Sequence, residues 1–296
     1  MPLFIAAPAH DFSHISSSDV TPSAIERPVR AAGGRRSWLI GVAVACVAAS
    51  VFVLGATSRG IGISPDSVQY FSVAQSAAEG RGLVTYAWEG EPRPLVHFPP
   101  AYPITLSTGA TIAGSSETFA RWFNVALFAL SIAIAVIITR RLAPASFWPA
   151  LIVAGLYATA FDLVAAHSMA WTEPLYLTLT LLWLVALVQA LERASLRLLL
   201  VASILAGLTA TVRYIGVANV GALGLTVLLL WPASWWRRFA TASVAGFIGI
   251  VPLLVAILTV GATDVPDADG ATMGNRQLGW HPPGPADVRM FVSVVA

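Results

Sequence analysis

Stretches free of charged residues recur along the chain at lengths that suit a bilayer: Trp38 to Ala56, Trp122 to Thr139, Leu142 to Phe161, Pro174 to Leu191 and Phe239 to Thr263. Each is long enough, or nearly so, to cross about 30 Å of hydrocarbon as an α-helix. A further region, Leu198 to Trp236, is apolar apart from Arg213 and its neighbourhood. One helix through all of it would be far longer than the bilayer is thick, so two spans are expected, joined by a tight turn near Arg213, Tyr214 and Gly216. The pattern therefore predicts an all-α polytopic membrane protein, with about seven spans over residues 38–263.

The polar positions between these runs orient the bundle. With the amino terminus inside, the cytoplasmic ends receive Arg140 and Arg141, Arg193 and Arg197, and Arg237 and Arg238, besides the four arginines of the tail. Basic residues gather at helix ends on the cytoplasmic side. Merging the two spans around Arg213 would send Trp235, Trp236, Arg237 and Arg238 to the other face and spoil the clustering. Residues 1–37, with their prolines, serines and arginines, read as a flexible cytoplasmic tail. The loop at 57–120 and the segment at 264–296 fall on the non-cytoplasmic face, and the last residues, FVSVVA, read as the start of a further apolar segment.

The loop after the first span carries Asp66, Glu79, Glu89, Glu91 and Glu117 against Arg59, Arg81 and Arg93. Within it, AQSAA at 74–78 and YPITLSTGATIAG at 102–114 are apolar enough to form short interface helices, with Tyr70, Tyr86, Trp88 and Tyr102 at headgroup depth.

Composition agrees with the run pattern. The mean hydropathy is +0.75 and charged residues make up only 11%, which leaves too little polar surface for a water-soluble domain of this size. A single cysteine, Cys46, excludes an intrachain disulfide. No GxGxxG, Walker loop, HExxH or cysteine metal cluster occurs, so nucleotide-dependent and zinc-hydrolase chemistry has no motif behind it.

Several residues carry candidate chemistry. A helical turn starting near Pro65 would place Asp66 and Tyr70 on one face, and Asp66 is then either a helix cap, a role Ser64 could also fill, or a catalytic carboxylate. His97 stands before Phe98, Pro99 and Pro100, which stiffen the backbone; it suits a metal ligand, a phosphate contact or a plain interface side chain. Asp162, His167 and Glu173 are expected in the outer turn between the third and fourth spans. Glu173 before Pro174 also suits a helix start. Asp162 near hydrocarbon would need a partner or water, and a polar cavity shared with Glu173 and Arg213 would supply both. Arg213, the costliest charge, either snorkels to headgroups or clamps a phosphate through its planar fork. Arg121, at the head of the second span, offers the same two choices.

Five segments in order resemble the integral-membrane glycosyltransferases of the GT-C superfamily: ISPDSVQYFSVAQSAAEGRGLVTY, HFPPAYPITL, ETFARWFNVALFAL, TEPLYLTLTLLWL and LAGLTATVRYIGV. The nearest look is to bacterial family 39-like proteins, related to protein mannosyltransferases and to lipid A aminoarabinose transferases, over residues 38 to 260. The resemblance implies a sugar taken from a polyprenyl-phosphate carrier at the outer face of the bacterial plasma membrane, with inversion. The acceptor would be a lipid, glycan or protein. It implies Asp66 as the carboxylate at the reaction centre, Arg213 and Arg121 at the donor phosphate, the stretch from His97 to Pro103, with Tyr102, shaping the cavity, and Glu173 as the acidic residue before the fourth span; Tyr70 and Asp162 join the candidate cavity or acceptor residues by their own positions. No cofactor is called for, and no tandem Asp-x-Asp points to a divalent metal. Nucleic acid is not an expected partner. Two other classes compete: a transporter or lipid flippase, in which Asp162 and Arg213 would form a mid-path charge pair, and a non-catalytic membrane scaffold.

Overall fold

The computed structural model describes residues 34–86 and 92–261, with two short paired strands beyond them at Val265–Pro266 and Thr272–Met273. The expected tail, apart from its helical last residues, the rest of 264–296, and Trp88, Glu89 and Glu91 lie outside the described residues.

Ten helices make up most of the described chain: α1 Gly34–Ala56, α2 Pro65–Ala78, α3 Ala101–Ala113, α4 Ser116–Leu142, α5 Trp148–Thr159, α6 Phe161–Ser168, α7 Glu173–Glu192, α8 Leu196–Val212, α9 Val217–Leu230 and α10 Trp235–Gly261. Four of them, α1, α4, α7 and α10, are long and apolar enough to cross a membrane. Together α5 and α6 make a fifth, broken span, bent by 53°. The chain is thus a polytopic membrane-spanning helical bundle. One difference from the expected full-length spans is that, among the described residues, α8 and α9, with 17 and 14 residues, are shorter apolar helices of about 25 and 21 Å at the helical rise.

A second difference lies in the third apolar run. The expected single span from Leu142 to Phe161 is cut at its start, where α4 runs on to Leu142 and Pro144 sits in the loop, and again at Ala160, whose extended backbone (ψ 116°) ends α5 and begins α6. Asp162 and His167 are consequently in α6 rather than in an outer turn.

The bundle is built on two cores. Phe128, Ile132 and Val136 of α4 meet Ala49 and Val53 of α1 and Ala150, Ala154 and Ala158 of α5. Small residues every fourth position let the helix backbones approach. On the other side Trp183, Ala186, Leu187 and Ala190 of α7 pack against Ala202 and Ala206 of α8, Val220, Leu223 and Val227 of α9 and Ala245 of α10. Gly207 permits the closest approach there, since a Cβ would strike the Gly249 carbonyl and Pro252 of α10. Large apolar side chains point outward along α1 (Ile40, Val44, Val47, Val51) and α10 (Phe247, Val255, Leu258), the pattern expected where lipid covers the surface.

The connection from α1 to α4 is folded rather than trailing. Its α2 begins at a capping box in which Ser64 and Ser67 each satisfy the other's backbone amide, with Pro65 at the first helical position. It ends at Glu79 ahead of Gly80, whose φ of 75° needs glycine. A two-stranded hairpin, β1 Val84–Thr85 with β2 Arg93–Pro94, follows, then α3 after Pro99 and Pro100. Gly62 pairs with the segment after α6: its amide donates to the Ser168 carbonyl at 2.8 Å and its carbonyl accepts from Ala170 at 2.8 Å. A side chain at Gly62 would collide with Met169.

The arginine clusters share one end of the bundle. Arg141 ion-pairs with Glu192 at 3.5 Å, which brings the ends of α4 and α7 together, and Arg193 and Arg197 flank the α7–α8 turn beside them. Arg238 closes α9 by donating to the carbonyls of Leu229 (2.7 Å) and Ala233 (2.8 Å). Asp66, the start of α7 and the Arg213 turn lie at the opposite end. In a Cys46→Ala background, Arg238→Cys should therefore be labelled by impermeant thiol reagent only from the side that does not label Glu79→Cys. Labelling of both from one side would contradict the described bundle.

Candidate functional site

A cleft of about 440 Å³ opens at the end of the bundle away from the arginine clusters. Four chain segments meet in it: Ser64, Pro65, Asp66 and Tyr70 from the start of α2; His97, Phe98 and Pro99 ahead of α3; Trp171, Thr172 and Glu173 at the head of α7; and Val212 to Ile215 at the break between α8 and α9. The four come from sequence positions that only the fold brings together.

The break at Arg213 is the least helical point of this end. After Val212 the chain takes an extended conformation at Arg213 (φ −144°, ψ 133°), makes one 3-10 turn over Tyr214–Gly216 and restarts as α9. Gly216 is required because a Cβ would meet the backbone of Thr209 and Ala210. The turn frees the Arg213 side chain to point at α7. There its Nη1 ion-pairs with Glu173 and donates to the Thr172 hydroxyl at 3.0 Å.

Thr172 is the hub of the cleft. Its side chain is buried, and its hydroxyl accepts from Arg213 and donates to Glu173 Oε2 at 3.4 Å. Tyr70 stands edge-on to Phe98 (5.0 Å between ring centroids) and to Tyr102 (5.3 Å). Burial, reinforced by the nearby Asp66 and Glu173 charges and opposed by the neighbouring Thr172 hydroxyl and Arg213, pushes the Tyr70 phenol well above its ordinary value. Near neutral pH it is a hydrogen-bonding phenol and not a base.

Asp66 differs from its neighbours. The capping role at this helix start belongs to Ser64, so the Asp66 carboxylate, on the first turn of α2, is exposed and makes no hydrogen bond or ion pair with a described residue. It is the unengaged carboxylate of the cleft. His97 is exposed at the rim, its ring edge-on to Phe98 at 4.7 Å.

Three expected site residues lie elsewhere. Arg121 gives its Nε to Thr57 (3.1 Å) and its Nη2 to the Leu54 carbonyl (3.4 Å). It binds the head of α4 to the free carbonyl end of α1 and does not line the cleft. Asp162 is exposed in the first turn of α6, where a carboxylate gains from the helix dipole, and does not line the cleft that holds Glu173 and Arg213. Tyr102 is fully buried beneath Tyr70 and supports it, with its hydroxyl unpartnered among the described residues. His167, which the sequence also placed at this end, stacks on Phe128 at 4.4 Å inside the bundle.

Among the cleft residues that went unremarked in the sequence are Val212, Ile215, Thr172 and Trp171, whose indole donates to the Ser64 hydroxyl at 2.8 Å. The position of Thr172 immediately before Glu173-Pro174 is the only local hint of its role. Among the described residues no group of three or more metal-ligating side chains forms.

Thr172→Val keeps the shape of the side chain while removing its hydroxyl contacts to Arg213 and Glu173. It should cost about 1–3 kcal/mol of stability, measured by thermal unfolding in detergent; an unchanged unfolding profile would show that the two contacts do not contribute to stability. Comparison with known proteins finds no matching family model and no matching curated protein.

Proposed function

We propose that the protein is a glycosyltransferase of the GT-C kind, moving a sugar from a polyprenyl-phosphate donor to a hydroxyl-bearing acceptor at the non-cytoplasmic face of the membrane. The observation that carries this reading is the pairing in one cleft of an unengaged carboxylate, Asp66, with a guanidinium, Arg213, fixed at a helix break. Transfer from a lipid phosphate needs those two things. The donor already carries its leaving group, so the protein has to place a base within about 3 Å of the acceptor hydroxyl and offset the charge that grows on the phosphate.

In this scheme the acceptor oxygen attacks the anomeric carbon from the side opposite the phosphate. The new C–O bond forms as the C–O bond to the phosphate breaks, which inverts the centre. Asp66 takes the proton of the acceptor, and Arg213 receives the phosphate. Tyr70, Phe98 and Trp171 line the walls beside the reacting groups. Arg121, committed to the end of α1, takes no part, and Asp162 serves the start of α6.

A transporter remains the second reading, favoured by the helix breaks at Ala160 and Arg213. A charge pair between Asp162 and Arg213 would have been its central device, and Asp162 is not among the residues that line the cleft with Arg213.

Asp66→Asn keeps size and most hydrogen bonding while removing the base. Transfer of labelled sugar from polyprenyl phosphate should fall at least ~100-fold with the protein still folded in the membrane. Arg213→Gln should weaken use of the donor instead. Transfer at the parental level by the Asp66→Asn protein would reject Asp66 as the base.

A further inference from the structure

The donor-phosphate role of Arg213 meets an obstacle inside the cleft, because the guanidinium is already paired. Glu173 holds Arg213 Nη1, so any anion that comes to this arginine has to contend with a carboxylate built into the site. Three features make that contact exchangeable rather than permanent.

First, the pair is open to the cleft: the Arg213 and Glu173 side chains keep 38% and 36% of their surface exposed. Ion pairs with that much solvent access contribute little to stability, so separating them is inexpensive. Second, Arg213 does not depend on Glu173 for its position. The Thr172 hydroxyl holds the same Nη1 at 3.0 Å, and the break after Val212 fixes the backbone, so the guanidinium stays in place when the carboxylate leaves. Third, Nη2 and Nε make no hydrogen bond with a described residue. A phosphate can therefore engage this free edge of the planar fork before Glu173 releases Nη1.

We propose that Glu173 is an internal competitor for the anion site on Arg213, occupying it while the cleft is empty, yielding to a lipid-borne phosphate and returning to displace the phosphate left after the sugar has gone. The proposal rests on the phosphate-binding role given to Arg213 above and assigns Glu173 as a residue that positions Arg213's charge and sets phosphate affinity. It also answers a problem of product release. The donor is a phosphodiester with one negative charge, whereas the product is a monoester bearing about −1.5 to −2 at neutral pH, by analogy with phosphorylated side chains. Arg213 alone would hold product more tightly than donor. A carboxylate anchored next to the guanidinium at the head of α7 raises the cost of the more highly charged species and supplies the group that takes its place.

Binding measured on the full chain in lipid nanodiscs tests this, with a short isoprenyl monophosphate as probe and the matching isoprenol and inorganic phosphate as controls. Glu173→Gln should tighten the monophosphate about three- to fivefold, the range open to a partly exposed ion pair, and leave isoprenol unchanged. Glu173→Asp, which keeps the charge, should bind near the parental level. Arg213→Gln should abolish the gain in a double variant. Tighter binding of isoprenyl monophosphate than of inorganic phosphate would assign the site to a lipid-borne phosphate, and the reverse order would overturn that part of the proposal.

Equal or weaker monophosphate binding by Glu173→Gln, with the parent binding normally and losing the probe on Arg213→Gln, would overturn the competitor role and leave the proposed function standing. No binding by parent or variant would overturn both. Glu173→Ala provides the same test should the Gln variant fail to assemble. Failure of both to assemble would also overturn the proposal, since a residue that leaves Arg213 in every cycle cannot be one the fold requires.

Discussion

The way Arg213, at the break between two apolar helices, meets the head of α7 organises this end of the bundle. Thr172 and Glu173 both face the arginine. Across the same cleft Tyr70 packs on Phe98 and Tyr102, which holds α2 and the segment before α3 over the bundle. Tyr214, next to the arginine, donates to the Val96 carbonyl at 3.2 Å and ties the same segment from the other side. Four distant segments thus converge on a single cleft around the Arg213 break.

The same network separates two kinds of acidic residue. Glu173 is engaged by the arginine, whereas Asp66, offset to the other wall with its capping duty taken over by Ser64, is left with its carboxylate unspent. The fold takes from Asp66 only the modest gain of a carboxylate in the first turn of α2. That contrast favours chemistry for Asp66 and charge management for Glu173, and it is why the two are given different roles here.

Much of this was legible in the amino-acid sequence because hydrocarbon imposes a coarse rule on any chain that crosses it. The uncharged runs located α1, α4, α7 and α10, and Arg213 inside an apolar stretch announced the break between α8 and α9. Pro65 placed the start of α2 and so put Asp66 and Tyr70 on one face. Less legible was whatever depended on contacts between distant segments. The run from Leu142 to Phe161 has no charge to mark its interruptions, although Pro144 and Pro149 signal the first. The break at Ala160 has no proline or glycine beside it to mark it. Arg121 and Arg213 look alike in sequence, each an arginine at the edge of an apolar run. Only the fold shows that one faces the carbonyl end of α1 and the other an acidic cleft. Thr172 carried no pattern because a hub of hydrogen bonds is defined by its partners.

The central claim is that the cleft receives a lipid-borne phosphate at Arg213. A cryo-electron microscopy structure of the protein in nanodiscs with a non-transferable polyprenyl-phosphate-sugar analogue tests it most directly. The account predicts phosphate density within hydrogen-bonding distance of the Arg213 guanidinium, with Glu173 withdrawn from it and the sugar between Arg213 and Asp66. Analogue bound elsewhere, with the Glu173–Arg213 pair intact and the cleft empty, would contradict it.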